Sequence, residues 1–328
     1  MGRRALVTGL TGQDGSFLAE LLLEHGYELT GLIRRSPAEP LGSAEPMRDR
    51  IALIEGDLLD GESLIAAVRR TRPDELYHLA SPSFVPESWV DPARTLNAIA
   101  GSTATLLSAI REHSPHTRIV IAASAAMFGA TDSSPQTEDS PCRPHTPYGT
   151  AKLAAHQLAG QFRTHDGLFA CSAILYNHES ERRPGSFVTR RLSRGAAAVK
   201  LGLIDHVELG DITSVRDWSY AGDVIRGLHL MLQQDTPDDY ILASGRGRTV
   251  AEVAELAFAV VGLKPDGYLK VDSAALTRAP DPTPPVGDPT KARERLGWQP
   301  QMTFEELIER MVRADLEELS AGGQPTSP

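Results

Sequence analysis

Tyr148 and Lys152 stand four residues apart in the run Tyr148-Gly149-Thr150-Ala151-Lys152. At helical spacing they share one face, where an ammonium lowers the pKa of a phenol and the phenolate can take a proton from an alcohol hydroxyl. Ser124 follows the apolar strand-like run Ile119 to Ala123. Its hydroxyl suits a hydrogen bond to the same substrate oxygen while a hydride leaves the carbon. Such a trio oxidises an alcohol to a ketone and requires a hydride acceptor.

The segment that would hold that acceptor lies near the N-terminus. Gly9-Leu10-Thr11-Gly12-Gln13-Asp14-Gly15 follows the strand-like Ala5 to Thr8 and precedes a helical segment, Phe17 to His25. Glycines there let the backbone approach a pyrophosphate at a helix N-terminus. After the second strand, Tyr27 to Ile33, the chain offers Arg34-Arg35-Ser36 where a ribose-binding acid would favour NAD. Two arginines suit a 2′-phosphate, so the expected cofactor is NADP, with NAD the less favoured choice. Asp57 and Leu58 are candidates for the adenine side, and Leu79, Ala80 and Ser81 for the crevice, together with Tyr148 and Lys152. A turn-forming role for Asp57 is an equal alternative.

The elements that must position these residues alternate. Further strand-like runs occur at Ile51 to Ile54, Glu75 to Ala80, Arg118 to Ala122 and Phe169 to Leu175, separated by segments of helical period. That alternation predicts an α/β fold, a Rossmann-type doubly wound parallel sheet. Residues 1–176 are read as the dinucleotide-binding domain with Ser124, Tyr148 and Lys152. Residues 177–328 are read mainly as a smaller mixed α/β substrate-binding lobe, with an interleaved boundary and with helices such as Val250 to Val261 and Phe304 to Leu319.

With 328 residues, 41% hydrophobic, the chain can bury a large core. A formal net charge of −10 argues against nucleic acid or an anionic membrane as partner. Cys142 and Cys171 lack metal-ligand spacing and read as free thiols in a reducing compartment, so no metal is expected. Neither a secretory signal nor a membrane span is apparent, and a cytoplasmic location is expected.

Thr8-Gly9-Leu10-Thr11-Gly12-Gln13-Asp14-Gly15-Ser16, Tyr148 to Lys152, Asn177-His178-Glu179-Ser180 and Arg216-Asp217-Trp218 occur in an order that resembles the GDP-mannose 4,6-dehydratase family, over nearly the whole chain. The resemblance implies a GDP-sugar substrate. Carried over by position, Ser83, Asn177, Glu179, Arg183, Val188, Lys200, Arg216 and Arg278 would bind it. It also implies a homodimer or homotetramer, with the Arg34 to Met47 loop reaching a neighbour.

One departure bears on the reaction. The resemblance implies a glutamate two residues after the catalytic hydroxyl, serving as base and acid in removing water across C5 and C6; here that position is Ala126. Alanine moves no proton, and elimination should lose about 10²–10⁴ in rate. The loop at Ser81-Pro82 and Pro86-Glu87 departs as well. These residues favour a 4-epimerase acting through a transient ketone, on a sugar whose C6 substituent is enlarged. The alternatives are a dehydratase whose base is Glu87, His178 or Tyr148, and a non-catalytic GDP-sugar sensor.

Overall fold

The computed structural model describes residues 2–34, 40–271 and 283–323, so Arg35 and Arg278 lie outside the described residues. The chain runs β1 (Arg4–Thr8), α1 (Gln13–Glu24), β2 (Glu28–Ile33), β3 (Ile51–Glu55), α2 (Gly61–Thr71), β4 (Glu75–His78), α3 (Glu87–Val90), α4 (Pro92–Leu96), α5 (Ser102–His113), β5 (Arg118–Ser124), α6 (Pro147–Asp166) and β6 (Ala170–Leu175). It continues through β7 (Asn177–Glu179), α7 (Val188–Lys200), β8 (Val207–Leu209), β9 (Val215–Tyr220), α8 (Ala221–Leu232), β10 (Tyr240–Leu242), β11 (Gly247–Thr249), α9 (Val250–Val260), β12 (Leu269–Val271), α10 (Thr290–Leu296) and α11 (Phe304–Ser320).

Seven strands form one parallel sheet in the order β10-β6-β5-β4-β1-β2-β3. The order reverses beside β1, and ligands of such sheets bind at the carboxyl ends of the strands at that reversal. Helices cover both faces. On one face Leu18 and Leu22 of α1 meet Leu228 and Leu232 of α8. On the other, Leu64 of α2, Leu106 and Ile110 of α5 and Ala155 of α6 close a second cluster. Leu18 has no exposed surface, and truncating it to alanine should cost about 2–5 kcal/mol.

Beyond β6 the chain builds a three-stranded sheet, β11-β9-β7, and a two-stranded one, β12-β8. A third core, with Leu192, Trp218, Val253, Phe258 and Ile308, joins α7, α9 and α11. The chain also returns to the main sheet through β10, which pairs with β6.

The helix ends follow local chemistry. Thr146 caps α6 by accepting from the Gly149 amide at 3.0 Å, and Pro147 takes the first helical position. Thr249 and Thr303 form capping boxes with Glu252 and Glu306. Gly26, with φ of 75°, ends α1 as its position in sequence predicts. Helix α1 starts earlier than Phe17, because the glycine turn leads into it at Gln13.

Candidate active site

Strand β1 ends in a turn that only glycine permits. Gly9 has φ of 79°, and a Cβ there would lie 2.7 Å from the Ala80 amide nitrogen; one on Gly15 would lie 2.2 Å from the Gly9 carbonyl oxygen. A Cβ on Gly12 would meet only that carbonyl, at 3.5 Å, so its open side is left for a ligand. The turn opens into a cavity of about 930 Å³ at the carboxyl ends of the main sheet.

The fold brings most of the sequence candidates to this one cavity. Gly9, Thr11, Gly12, Gln13, Asp14, Gly15, Arg34, Asp57, Leu58, Leu79, Ala80, Ser81, Ser83, Ser124, Tyr148, Lys152, Asn177, Arg183 and Arg216 all line it, and so does Ala126. Glu179, Val188 and Lys200 are not in its lining. Lys200 is exposed at the far end of α7, about 18 Å along the helix from Val188. Glu179 is buried and turned to Thr189 and Arg183. Asp57 does form a turn, accepting from the Leu59 amide at 2.8 Å.

Tyr148, Lys152 and Ser124 meet through backbone placement. Tyr148 sits in the first turn of α6 and Lys152 one turn further on, while Ser124 ends β5. Lys152 Nζ donates to the Ala122 carbonyl at 2.7 Å and to Ser81 Oγ at 3.1 Å, and lies 5.6 Å from the centre of the Tyr148 ring. Burial brings the Lys152 ammonium down to about 8. Burial also raises the Tyr148 phenol, opposed by a hydrogen bond with the Ser124 side chain and by the charge of Arg183. The expected lowering by Lys152 is therefore corrected: its ammonium is directed to Ala122 and Ser81, and desolvation outweighs the rest.

A clasp that the sequence reading missed joins α1 to β7. His178 Nε2 bonds Asp14 Oδ2 at 2.9 Å, and its Nδ1 bonds the Tyr176 carbonyl at 2.8 Å. Gln13 donates to the His178 carbonyl at 3.2 Å and accepts from Ser180 Oγ at 2.8 Å. Burial alone would lower His178, but the Asp14 carboxylate wins and its pKa is raised; Asp14, which burial would raise, ends well below its usual range. Arg182 adds a donor to Ser16 Oγ at 3.0 Å and lies over the Phe17 ring at 3.9 Å. The segment 177–183 is thus tied to the helix that begins at the glycine turn. The Asn-His-Glu-Ser run was the available signal.

Below the crevice, His78 takes Thr8 Oγ1 at 2.9 Å and Ser102 Oγ at 3.1 Å, and burial lowers it to about 3, so it is neutral. It ties β1 and β4 to Ser102 at the start of α5, next to a π-helical turn, Asn97–Gly101, whose Ala98 lies in the cavity wall.

The GDP-mannose 4,6-dehydratase family model matches residues 6–311. The chain belongs to this family. GDP-mannose 4,6 dehydratase 1 of Arabidopsis thaliana is 42% identical over 325 residues, covering 95% of this chain and 90% of that protein. Among solved structures, RMD from Pseudomonas aeruginosa complexed with NADPH has a TM-score of 0.81 at 25% identity, covering 96% of this chain and 99% of that one. The UDP-glucose 4-epimerase of Thermotoga maritima, solved with UDP-glucose, has a TM-score of 0.83 at 25% identity, again covering 96% and 99%. Membership makes the chain a nucleotide-sugar-modifying enzyme of the NAD(P)-dependent dehydratase and epimerase type. Among the described residues no helix is long and apolar enough to cross a membrane, and no cluster could hold a metal ion.

Proposed function

We propose that this enzyme is an NADP-dependent GDP-sugar 4-epimerase working through a transient 4-keto sugar. The observation that carries the reading is Ala126, which stands in the wall of the cavity that also holds Ser124, Tyr148 and Lys152. A shared cavity supports oxidation of C4 by Ser124, Tyr148 and Lys152, and the position from which a carboxylate would remove the C5 proton carries a methyl group.

Several residues fit the cofactor: the open side of Gly12, the helix N-terminus behind it, Asp57 and Leu58, and Arg34 at the end of β2. NADP there supplies a hydride acceptor for C4 and the hydride for its return. The protein does the rest. Tyr148 takes the proton of the C4 hydroxyl as the C–H bond breaks and the ketone forms; on the return it gives the proton back. Ser124 holds the oxygen throughout. Lys152, anchored on Ala122 and Ser81, keeps its ammonium 5.6 Å from the centre of the Tyr148 ring. Arg183 and Arg216 suit the diphosphate, with Asn177 and Ser83 beside them in the same lining. The methyl of Ala126 leaves volume next to C6, which accommodates an enlarged or chain-extended substituent. A cytoplasmic homodimer or homotetramer belongs to the same reading, supported by family membership and the two free cysteines.

Retained water elimination is the second reading, favoured by Glu87, a carboxylate in the same lining. His178 suits that role less, because both ring nitrogens are engaged. Incubation with GDP-mannose and related GDP-sugars in deuterium oxide separates the two by NMR and mass spectrometry. An isobaric epimer without deuterium at C5 is expected. Loss of one water, leaving a 4-keto-6-deoxy sugar, would overturn the epimerase and restore the dehydratase.

A further inference from the structure

We propose that Glu179 is a positioning residue: it fixes the guanidinium of Arg183 in the wall of the cavity that Tyr148 also lines, and does not itself touch the nucleotide. Glu179 is 1% exposed, and it is not part of the cavity lining, whereas Arg183 is. Its Oε2 accepts from Thr189 Oγ1 at 2.6 Å and lies 3.1 Å from Arg183 Nε. The Nε–H does not point along that line, so the contact is ionic and not a directed hydrogen bond. The guanidinium lies 3.6 Å above the Phe187 ring, and Phe187 packs edge-on against Phe84. Thr189 belongs to α7, so two supports hold one cation: a ring and a carboxylate that is itself held by a helix.

That cation matters at the reacting centre. The charged groups facing Tyr148 are Arg183, which favours the phenolate, and Asp14, which opposes it; Lys152 lies 5.6 Å from the ring. Asp14 is itself paired with His178, and both also face Arg183. Glu179 is not among the groups that act directly on Tyr148. Removing its charge therefore acts on Tyr148 chiefly through where Arg183 lies. A carboxylate that held Arg183 loosely would let the cation swing to the Asp14 side or into solvent, and the phenolate would lose its support.

The inference rests on Tyr148 as the proton acceptor, which epimerase and dehydratase readings share, so a dehydrated product would sink the former without touching this one. The test is the titration of Tyr148 in the full chain without ligands, followed by NMR of carbon-13-labelled tyrosine and assigned with Tyr148→Phe. In Glu179→Gln the titration should move up, leaving about three- to tenfold less phenolate at a given pH; Glu179→Asp, which keeps the charge, should recover part of the shift. Thr189→Val should give a smaller shift of the same sign, and it decides the matter if Glu179→Gln does not fold. An unchanged Tyr148 titration in a folded Glu179→Gln protein overturns the proposal. A loss of GDP affinity with that titration unchanged would return Glu179 to direct nucleotide binding.

Discussion

At the scale of single residues, Lys152 sets catalysis against stability. Burial takes its ammonium from 10.5 to about 8, so between those values the unfolded chain holds a proton that the folded chain has released. Stability should therefore rise with pH across that window, and below it the fold bears a cost of about 3 kcal/mol for a charged buried amine. Lys152→Met removes the charge but leaves the Ala122 carbonyl without its donor, a loss of about 1 kcal/mol. The variant should melt a few degrees higher than wild type at pH 7, with the gain shrinking by pH 10 and C4 oxidation down about 10²-fold or more. Thermal melts of the ligand-free proteins at both pH values check this; an equal or lower melting temperature at pH 7 contradicts it. Ala126→Glu is the complementary change. It puts a carboxylate into the cavity wall, and NMR of the products should then show a 4-keto-6-deoxy sugar; an unchanged product spectrum would place residue 126 away from C5. That Ser124, Tyr148 and Lys152 would share one cavity was legible in sequence, from the four-residue spacing of Tyr148 and Lys152 and from the place of Ser124 after an apolar strand-like run. The Lys152–Ser81 contact and the grip of Glu179 on Arg183 were not, since each depends on how separate elements are brought together.

At the scale of elements, the clasp between α1 and β7 adds a pH dependence whose direction follows from its two members. His178 is raised above 6.5 by Asp14, so its contribution is complete below 6.5 and is lost as pH climbs through the raised value. Asp14 is lowered, so its contribution is present above 3.8 and is lost only in strong acid. Between those limits the pair ties the glycine turn to the strand that carries Asn177. In thermal melts, His178→Gln should fall furthest below wild type near pH 6, with the difference narrowing toward pH 9. A gap that stays constant over that range would mean that His178 contributes shape and not charge. Strands β1 to β6 of the main sheet were readable from sequence, the seventh, three-residue β10, was not, and Gly26 marked a helix end correctly. The short strands β7 and β11 were not readable either, because three-residue strands carry no periodic signal. The π-helical turn at Asn97–Gly101 was equally silent, as was the His78–Ser102 contact beside it, which joins residues 24 apart in sequence.

At the scale of the whole molecule, an acidic protein that binds phosphate must gather positive charge locally, and the fold brings Arg34, Arg183 and Arg216 from three distant parts of the sequence into one cavity. Arg34 follows the second strand of the main sheet, whereas Arg216 lies on β9 of the three-stranded sheet. A dinucleotide and a GDP-sugar would therefore occupy neighbouring parts of one crevice, and each should stabilise the same folded state. A ligand at a hundred times its Kd adds about 2.7 kcal/mol, a rise of a few degrees in Tm for a chain of this size. NADP and GDP should each raise Tm, and together they should raise it by at least the sum of the separate shifts. UDP in place of GDP should do less if the base is recognised. A joint shift no larger than the greater single shift would mean that the two compete for the same part of the cavity, and the division between the glycine-turn side and the Asn177–Arg216 side would have to be redrawn.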